Sequence, residues 1–484
     1  MDTQRQPAGG QDAAAAPLKT DLQEDAIGLL GATMQAITHI SPAIAAFFFT
    51  QFVIQQAGIT APLAYVAGFL IVLLLGNTLI QLSKHLPSAG GYYTYVSRAV
   101  SPRAGFLTSW MFILYSPIAS GPVYAFFGFI LQNELKSNWN IDIPYLWLIS
   151  VLVFAPLIAY FQYRGLKLSA EVLLITGGLE MLIVLALALT GFVNPGPGGV
   201  TLSVFDPGKI PAFEGFALAV VFSVQGLTGW EAAAPLAEET ANPRRNVPGS
   251  VLLSIILIGV FLVIVFWGVI SGYGSNNIAQ IQATTELPAL ELAHKLWGAG
   301  WVLILFAFLN SVIGNGLACA NVSTRMWYGM ARSGSFPKAL AKTHETHKTP
   351  VNAILMQMAL SLGIGIIPAV IWGADVSFFF VDGLILVLGV TVVYVMANLA
   401  VFLFYRGEHR GEFNPLLHFV FPLIGTVVLL YAVYKSFPTP AGPYWMAPII
   451  DGIWLLVGIG LLFYLRARGD EEWLLNAGKA IGEA

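Results

Sequence analysis

Residues 32–52 read ATMQAITHISPAIAAFFFTQF, a run apolar enough to cross a bilayer as one helix, yet its middle holds Thr38, His39, Ile40, Ser41 and Pro42. Proline has no N–H to give and its ring meets the carbonyl one turn back, so a helix over 27–54 is expected to break near Ser41 and Pro42. Backbone groups freed at such a depth cannot face lipid; they line protein or a watery cavity. The stretch therefore predicts a membrane-spanning helix interrupted at a site. The competing reading is a simple proline kink in which Ser41 bonds back to its own helix.

The rest of the chain has the same character. Of 484 residues, 57% are hydrophobic and 10% charged, with a mean hydropathy of +0.74, against roughly 25% charged in a soluble domain. The chain reads as all-α and embedded in the lipid bilayer. A single cysteine, Cys319, leaves no intramolecular disulfide. Residues 1–24 are polar, rich in Ala, Gly and Pro, and lack the apolar core and cleavage site of a signal peptide, so they read as a disordered cytoplasmic tail. A net charge of −3, with no basic cluster carrying interleaved aromatics, gives no sign of nucleic-acid binding. The seven histidines do not fall at a metal-ligand spacing with cysteines or carboxylates, and no motif asks for a cofactor.

Taking about 20 apolar residues per crossing, twelve spans are expected, starting near Ile27, Thr60, Pro102, Pro144, Leu168, Phe213, Val247, Gly298, Val351, Val376, Pro415 and Trp445. Lysine and arginine concentrate in cytoplasmic loops. Of the 23 such residues, 4 (Lys136, Lys209, Lys295 and Lys435) fall in odd-numbered loops; the even-numbered loops, to which Arg98, Arg103, Arg325 and Arg332 are assigned, and the tails hold the rest. The bias places both termini in the cytoplasm of a multi-pass protein of the inner (plasma) membrane.

The sixth span, within FSVQGLTGWEAAAPLAEETANPRRNVP (222–248), is also irregular. Gln225, Gly226, Leu227, Thr228 and Gly229 set two glycines and two polar side chains at one depth, and glycine lowers the cost of unwinding. Interrupted spans at matching places in two halves are the best sequence pointer to a transport site, because inverted repeats put span 1 opposite span 6. The spacing fits a five-plus-five repeat with two appended helices. It divides the chain into 25–198 (spans 1–5), 199–411 (spans 6–10), 412–467 (spans 11–12) and a cytoplasmic tail, 468–484.

Three stretches carry a resemblance: PSAGGYYTYVSRAVSPRAGFLTSW at 87–110, GWEAAAPLAEETANPRRNVP at 229–248 and STRMWYGMARSGSFP at 323–337. With these, the chain resembles the amino acid, polyamine and organocation (APC) transporter superfamily from about Ile27 through the twelfth span. The resemblance implies a leucine-transporter-type fold with substrate held where spans 1 and 6 unwind, at Thr38, His39, Ile40, Ser41, Pro42 and Ala43 and at Gln225, Gly226, Leu227, Thr228, Gly229 and Trp230. Members usually carry a glycine-serine-glycine style sequence at the first break. Here Ser41, Pro42 and Ala43 stand there, so one amide donor to a substrate carboxylate is missing, while the Ser41 and Ala43 amides and the following helix N-terminus remain candidates.

Coupling and gating candidates follow. Glu231, just past the second break, matches a position often acidic in the family and linked to gating or proton sensing; otherwise it hydrogen-bonds within the bundle. Glu180, the lone charge of span 5, lies near a point where proton-coupled relatives often carry a lysine; a carboxylate there is a proton-loading group or a structural acid held by a neighbouring Asn or Ser. His39 titrates in the physiological range or serves as packing. Asn310, Asn315, Asn321 and Ser323 form a polar stripe on span 8 that lines a pathway or makes interhelical bonds, and only Asn321 and Ser323 lie where relatives place a sodium or lysine partner. Tyr115 and Trp230 are candidate lids. Glu238, Glu239, Arg244 and Arg245 form either an inner gate with Arg98 or Arg103 or a solvated loop.

The leading function is secondary active import of an amino acid or related amine by alternating access, with protons as the coupling ion. A polyamine or organic amine permease, a sodium-driven transporter and an amino acid exchanger are the alternatives. No G-x-x-x-x-G-K-[ST] loop supports ATP-driven pumping, no repeated filter suggests a channel, and Asp375, Asp382, His39 and Glu231 lack the nucleophile motif or metal spacing of an enzyme. Nothing in the chain indicates an oligomeric state.

Overall fold

The computed structural model describes residues 20–283, 287–373, 376–436, 445–469, 471 and 473–482. These residues fold into helices, with a lone β-bridge between Ile27 and Thr240. The opening stretch forms two helices, α1 (Leu29–Ile40) and α2 (Pro42–Ala57), followed by α3 (Ala61–His85). A short α4 (Tyr92–Ala99) leads to α5 (Pro102–Ile113) and α6 (Ser116–Trp139), then α7 (Leu146–Arg164) and α8 (Leu166–Val193). The second interrupted element is α9 (Phe213–Gly226) and a 3-10 stretch, Trp230–Glu239, before α10 (Pro243–Tyr273). Two short helices, α11 (Ile278–Ala283) and α12 (Pro288–Trp297), precede the long α13 (Val302–Ser333); α14 (Val351–Trp372), α15 (Val376–Gly407), α16 (Phe421–Ser436), α17 (Met446–Ala467) and the single turn α18 (Trp473–Asn476) complete the bundle. Among the described residues, 10 helical runs are long and apolar enough to cross a membrane, including one of 57 residues from Leu29 to His85.

α10 packs against α3, α8 and α1, and α13 against α8, α6, α7 and α1, so the interrupted helices lie inside the bundle. Lipid provides no hydrophobic drive between helices, so close approach of small residues matters. Gly191 of α8 faces Gly268 of α10 so tightly that a Cβ on Gly191 would lie 2.2 Å from the Gly268 carbonyl oxygen. On the far side, α17 docks on α5 through reciprocal bonds. Trp110 Nε1 donates to the Trp454 carbonyl at 2.7 Å and Trp454 Nε1 to the Trp110 carbonyl at 2.8 Å, with the rings stacked 4.4 Å apart.

Parts of both expected tails pack on the bundle. Residues 1–19 of the expected N-terminal tail lie outside the described residues, but 20–24 are held: Leu22 is buried beside Ala89 and Tyr328, and the Asp21 N–H donates to the Tyr328 hydroxyl at 3.0 Å. In the C-terminal segment Trp473 is buried against Phe106, and the Ile481 N–H donates to the Pro87 carbonyl at 3.1 Å. Burial of Leu22 and Trp473 is the physical reason that both segments stay on the bundle.

Candidate substrate site

The first break is one residue wide. Ser41 adopts φ 62° and ψ 75°, its N–H still closes α1 on the Ile37 carbonyl, and Pro42 opens α2 at the position where a missing N–H costs nothing. The left-handed turn frees backbone groups, and their partners come from α8, from α13 and from Ser41 itself. The Ala43 N–H donates to Glu180 Oε2 of α8 at 3.4 Å, and the Ile44 N–H donates to Ser311 Oγ of α13 at 3.3 Å. The Thr38 carbonyl accepts from Ser41 Oγ at 3.2 Å, and the His39 carbonyl accepts from Asn315 Nδ2 of α13 at 2.9 Å. The Ser41 and Ala43 amides, candidates for a substrate carboxylate, are thus both engaged within the protein.

The second break closes against the first. α9 ends with the Leu227 N–H on the Val224 carbonyl and the Thr228 N–H on the Gln225 carbonyl. Gly229 follows at φ 132°, and a Cβ there would lie 2.7 Å from the Ile40 nitrogen. Conformation and space both require glycine. The Gly229 N–H donates to Glu231 Oε2 at 3.2 Å, and the Tyr394 hydroxyl of α15 donates to the same oxygen at 2.9 Å. Tyr115 and Tyr92 also face Glu231, which makes this buried acid the centre of a tyrosine cluster. Trp230 stacks on Tyr394, ring centroids 5.2 Å apart.

Between the breaks lies a cavity of about 190 Å³. Of the expected binding residues, His39, Ile40, Ser41, Gln225 and Thr228 line it, as does Tyr115; Thr38, Pro42, Ala43, Gly226, Leu227, Gly229 and Trp230 do not. Thr38 packs between Gly177 of α8 and Gly314 of α13. The other coupling candidates stand behind the wall: Glu180, Glu231, Asn321 and Ser323 are buried but do not line the cavity. Ser323 Oγ donates to the Cys319 carbonyl at 2.8 Å and lies 3.2 Å from Ser116 Oγ. Asn315 of the span 8 stripe lines it as well; among the lining not foreseen are Phe48, Phe49 and Phe52 of α2, Phe222 of α9, and Thr391 and Tyr394 of α15. The three α2 phenylalanines stand in the opening stretch and signalled only apolarity there. Among the described residues no Asp, Glu, Lys or Arg lines the cavity, and His39 is only 4% exposed. A second cavity, of about 330 Å³ with Gln51, Asn133 and Glu134 on its walls, shares Phe48 and Phe52 with the first.

The acids of the 3-10 stretch pair inward. Arg325 Nε donates to Glu239 Oε2 at 2.7 Å and Nη2 to Oε1 at 3.2 Å, a forked pair with both side chains almost wholly buried. Arg332 pairs with Glu238, which also accepts the Ala89 N–H at 2.9 Å. Arg98 and Arg103 bond elsewhere, to Glu408 and Glu471. This corrects the expected gate: Arg325 and Arg332 belong to helix α13 rather than to a loop, because α13 runs on to Ser333. Asn321 joins the network, accepting from Arg325 Nη1 at 3.4 Å and donating to Gln35 Oε1 of α1 at 3.2 Å.

Residues 31–472 match the family model described as amino acid permease. The chain belongs to the amino acid permease family. The permease is similar to the uncharacterized amino acid permease YecA of Bacillus subtilis (27% identical over 61% of this chain and 66% of that one) and to the serine/threonine exchanger SteT of the same organism (25% over 74% and 78%). It is also similar to the low-affinity putrescine importer PlaP of Escherichia coli (26% over 62% of this chain and 66% of that one). Family and relatives are transporters, so the permease is a transport protein and not an enzyme.

Proposed function

We propose that the permease imports a neutral amino acid with a bulky apolar side chain, held in the cavity between the two breaks, by alternating access. The observation that carries this is the cavity's lining: uncharged, walled by phenylalanines, and with His39, Ser41, Gln225, Thr228 and Asn315 gathered at the breaks, where they can meet a zwitterion's ends. A polyamine would bring two or more cations into a cavity without a carboxylate on its wall, at a large desolvation cost. That weighs against the amine alternative.

In this reading the chain crosses the membrane twelve times with both termini in the cytoplasm. The 57-residue run Leu29–His85 supplies two passes at about 20 residues each, and α5 with α6 supplies one across the interruption at Leu114 and Tyr115. The two five-span halves are inverted repeats, and the second cavity is an approach to the first. Protons are the driving ion and Glu180 their carrier: its carboxylate takes the Ala43 N–H at the break, so loading or unloading a proton remakes a bond that fixes α2 to α8.

The test is uptake into proteoliposomes of labelled leucine, phenylalanine, serine, lysine and putrescine, with and without an inward proton gradient, for the parent and Glu180→Gln. The expected result is gradient-driven accumulation of leucine or phenylalanine, lost in Glu180→Gln while binding persists. Preference for putrescine would overturn the substrate reading, and equal gradient-independent uptake by both proteins would overturn the coupling.

A further inference from the structure

Away from the cavity, the end of α3 meets the turn after α15. His85 closes α3, while His409 and Glu412 lie just past Gly407 in that turn. His85 Nε2 is 3.4 Å from Glu412 Oε2, and His409 Nδ1 is 3.1 Å from Glu412 Oε1. The two imidazole rings sit 4.0 Å apart. All three donor atoms fall within 4.8 Å of one another. A tetrahedral zinc ion, with ligands at about 2.0–2.2 Å, needs its donors roughly 3.3–3.5 Å apart; His85 Nε2 stands at that spacing from Glu412 Oε2, and His409 Nδ1, at 3.1 Å from Oε1, lies a little inside it.

The surroundings suit a metal more than a chance contact of surface side chains. The rings are fixed from behind: His409 leans on Phe404 at 4.8 Å and His85 meets the Tyr405 ring edge-on at 5.6 Å. The Tyr405 hydroxyl donates to the Gln81 carbonyl at 3.2 Å, so the two elements are already registered to one another. The donors remain reachable, with side chains 20%, 29% and 58% exposed for His85, His409 and Glu412. Lys84 and Arg244 lie near enough to act on His85 and oppose a dication; two neutral imidazoles and one carboxylate are the donor set that tolerates this, because nitrogen-to-zinc bonding is not purely coulombic.

We propose that His85, His409 and Glu412 form a three-ligand site for zinc or a similar divalent transition metal, with the fourth position open to water, that clips the end of α3 to the α15–α16 connection. The site is distinct from the substrate cavity and takes no part in binding the transported molecule. A second histidine pair, His344 and His347, stacks 4.9 Å apart but is already bonded: His344 Nδ1 accepts from the Thr346 and His347 N–H groups and Nε2 meets the Tyr163 hydroxyl. It serves as the internal control.

The experiment is isothermal titration of the untagged, detergent-purified permease with ZnCl2, paired with Co2+ absorption to read coordination geometry. The expected result is one Zn2+ per chain with the visible bands of four-coordinate cobalt, and affinity lowered at least tenfold or so in His85→Ala and in Glu412→Gln. His344→Ala/His347→Ala should leave affinity unchanged. Glu412 is exposed, so Glu412→Gln stays informative if His85→Ala fails to fold. Absence of Zn2+ binding in the parent, or binding undiminished by Glu412→Gln and His85→Ala, would overturn the site.

Discussion

Gly229 joins the two breaks at a single point. Alanine there would have to hold φ 132° and place its Cβ 2.7 Å from the Ile40 nitrogen and 2.9 Å from the His39 carbonyl carbon. Those contacts are backbone, which cannot rotate aside, so Gly229→Ala should push the 3-10 stretch off α1 at a cost of about 1–3 kcal/mol. Transport is expected to fall tenfold or more, since about 1.4 kcal/mol corresponds to one decade, while the protein still inserts and purifies as a monodisperse species. Normal uptake by Gly229→Ala would show that the breaks need not touch. At this scale the sequence was informative where chemistry is scarce. A proline, a histidine and paired glycines in apolar spans stand out, whereas Phe48, Phe49 and Phe52 resemble any lipid-facing or core residue until a cavity is seen beside them. Tyr394 and Thr391 lie in an unbroken apolar helix and gave no signal.

The element that most needs explanation is the ten-residue 3-10 stretch Trp230–Glu239, far longer than the three or four residues at which such helices usually stop. It is stabilised from outside, by Tyr394 on Glu231, Arg332 on Glu238 and Arg325 on Glu239. Removing one member of a buried ion pair leaves the other charged and alone, typically costing about 3–5 kcal/mol, whereas replacing both with apolar groups is far milder. Arg325→Met should therefore lower the thermal stability of the detergent-solubilised permease sharply, and Arg325→Met/Glu239→Leu should recover most of it. If the double variant is as unstable as the single one, the pair is not what holds this stretch. Both acids were visible in the sequence, but their partners were not. Arg325 was assigned with the loop charges because hydropathy cannot show how far a helix extends past its apolar window, nor that an arginine there turns inward.

For the whole molecule, charge bias and hydropathy predicted twelve crossings with cytoplasmic ends, and the single cysteine makes that easy to test. Cys319 is buried, so a cysteine placed at an exposed position is the one that reacts. A membrane-impermeant maleimide should label Asn138→Cys on intact cells and Gly411→Cys only after lysis; the reverse pattern would invert the topology. Helical class and the positions of the interruptions were legible because lipid allows so few backbone solutions. The docking of residues 20–24 and 473–482 on the bundle was not, because short polar segments reveal their partners only in three dimensions. One such pairing has a mechanical meaning. Ile27, just ahead of α1, donates its N–H to the Glu239 carbonyl at 3.1 Å and accepts from the Ala241 N–H at 2.9 Å, at the end of the 3-10 stretch. The half of one interrupted helix and the half of the other are thus joined at both ends, at Gly229 and at Ile27. Tied at both ends, the two halves are expected to swing as one lever rather than as two.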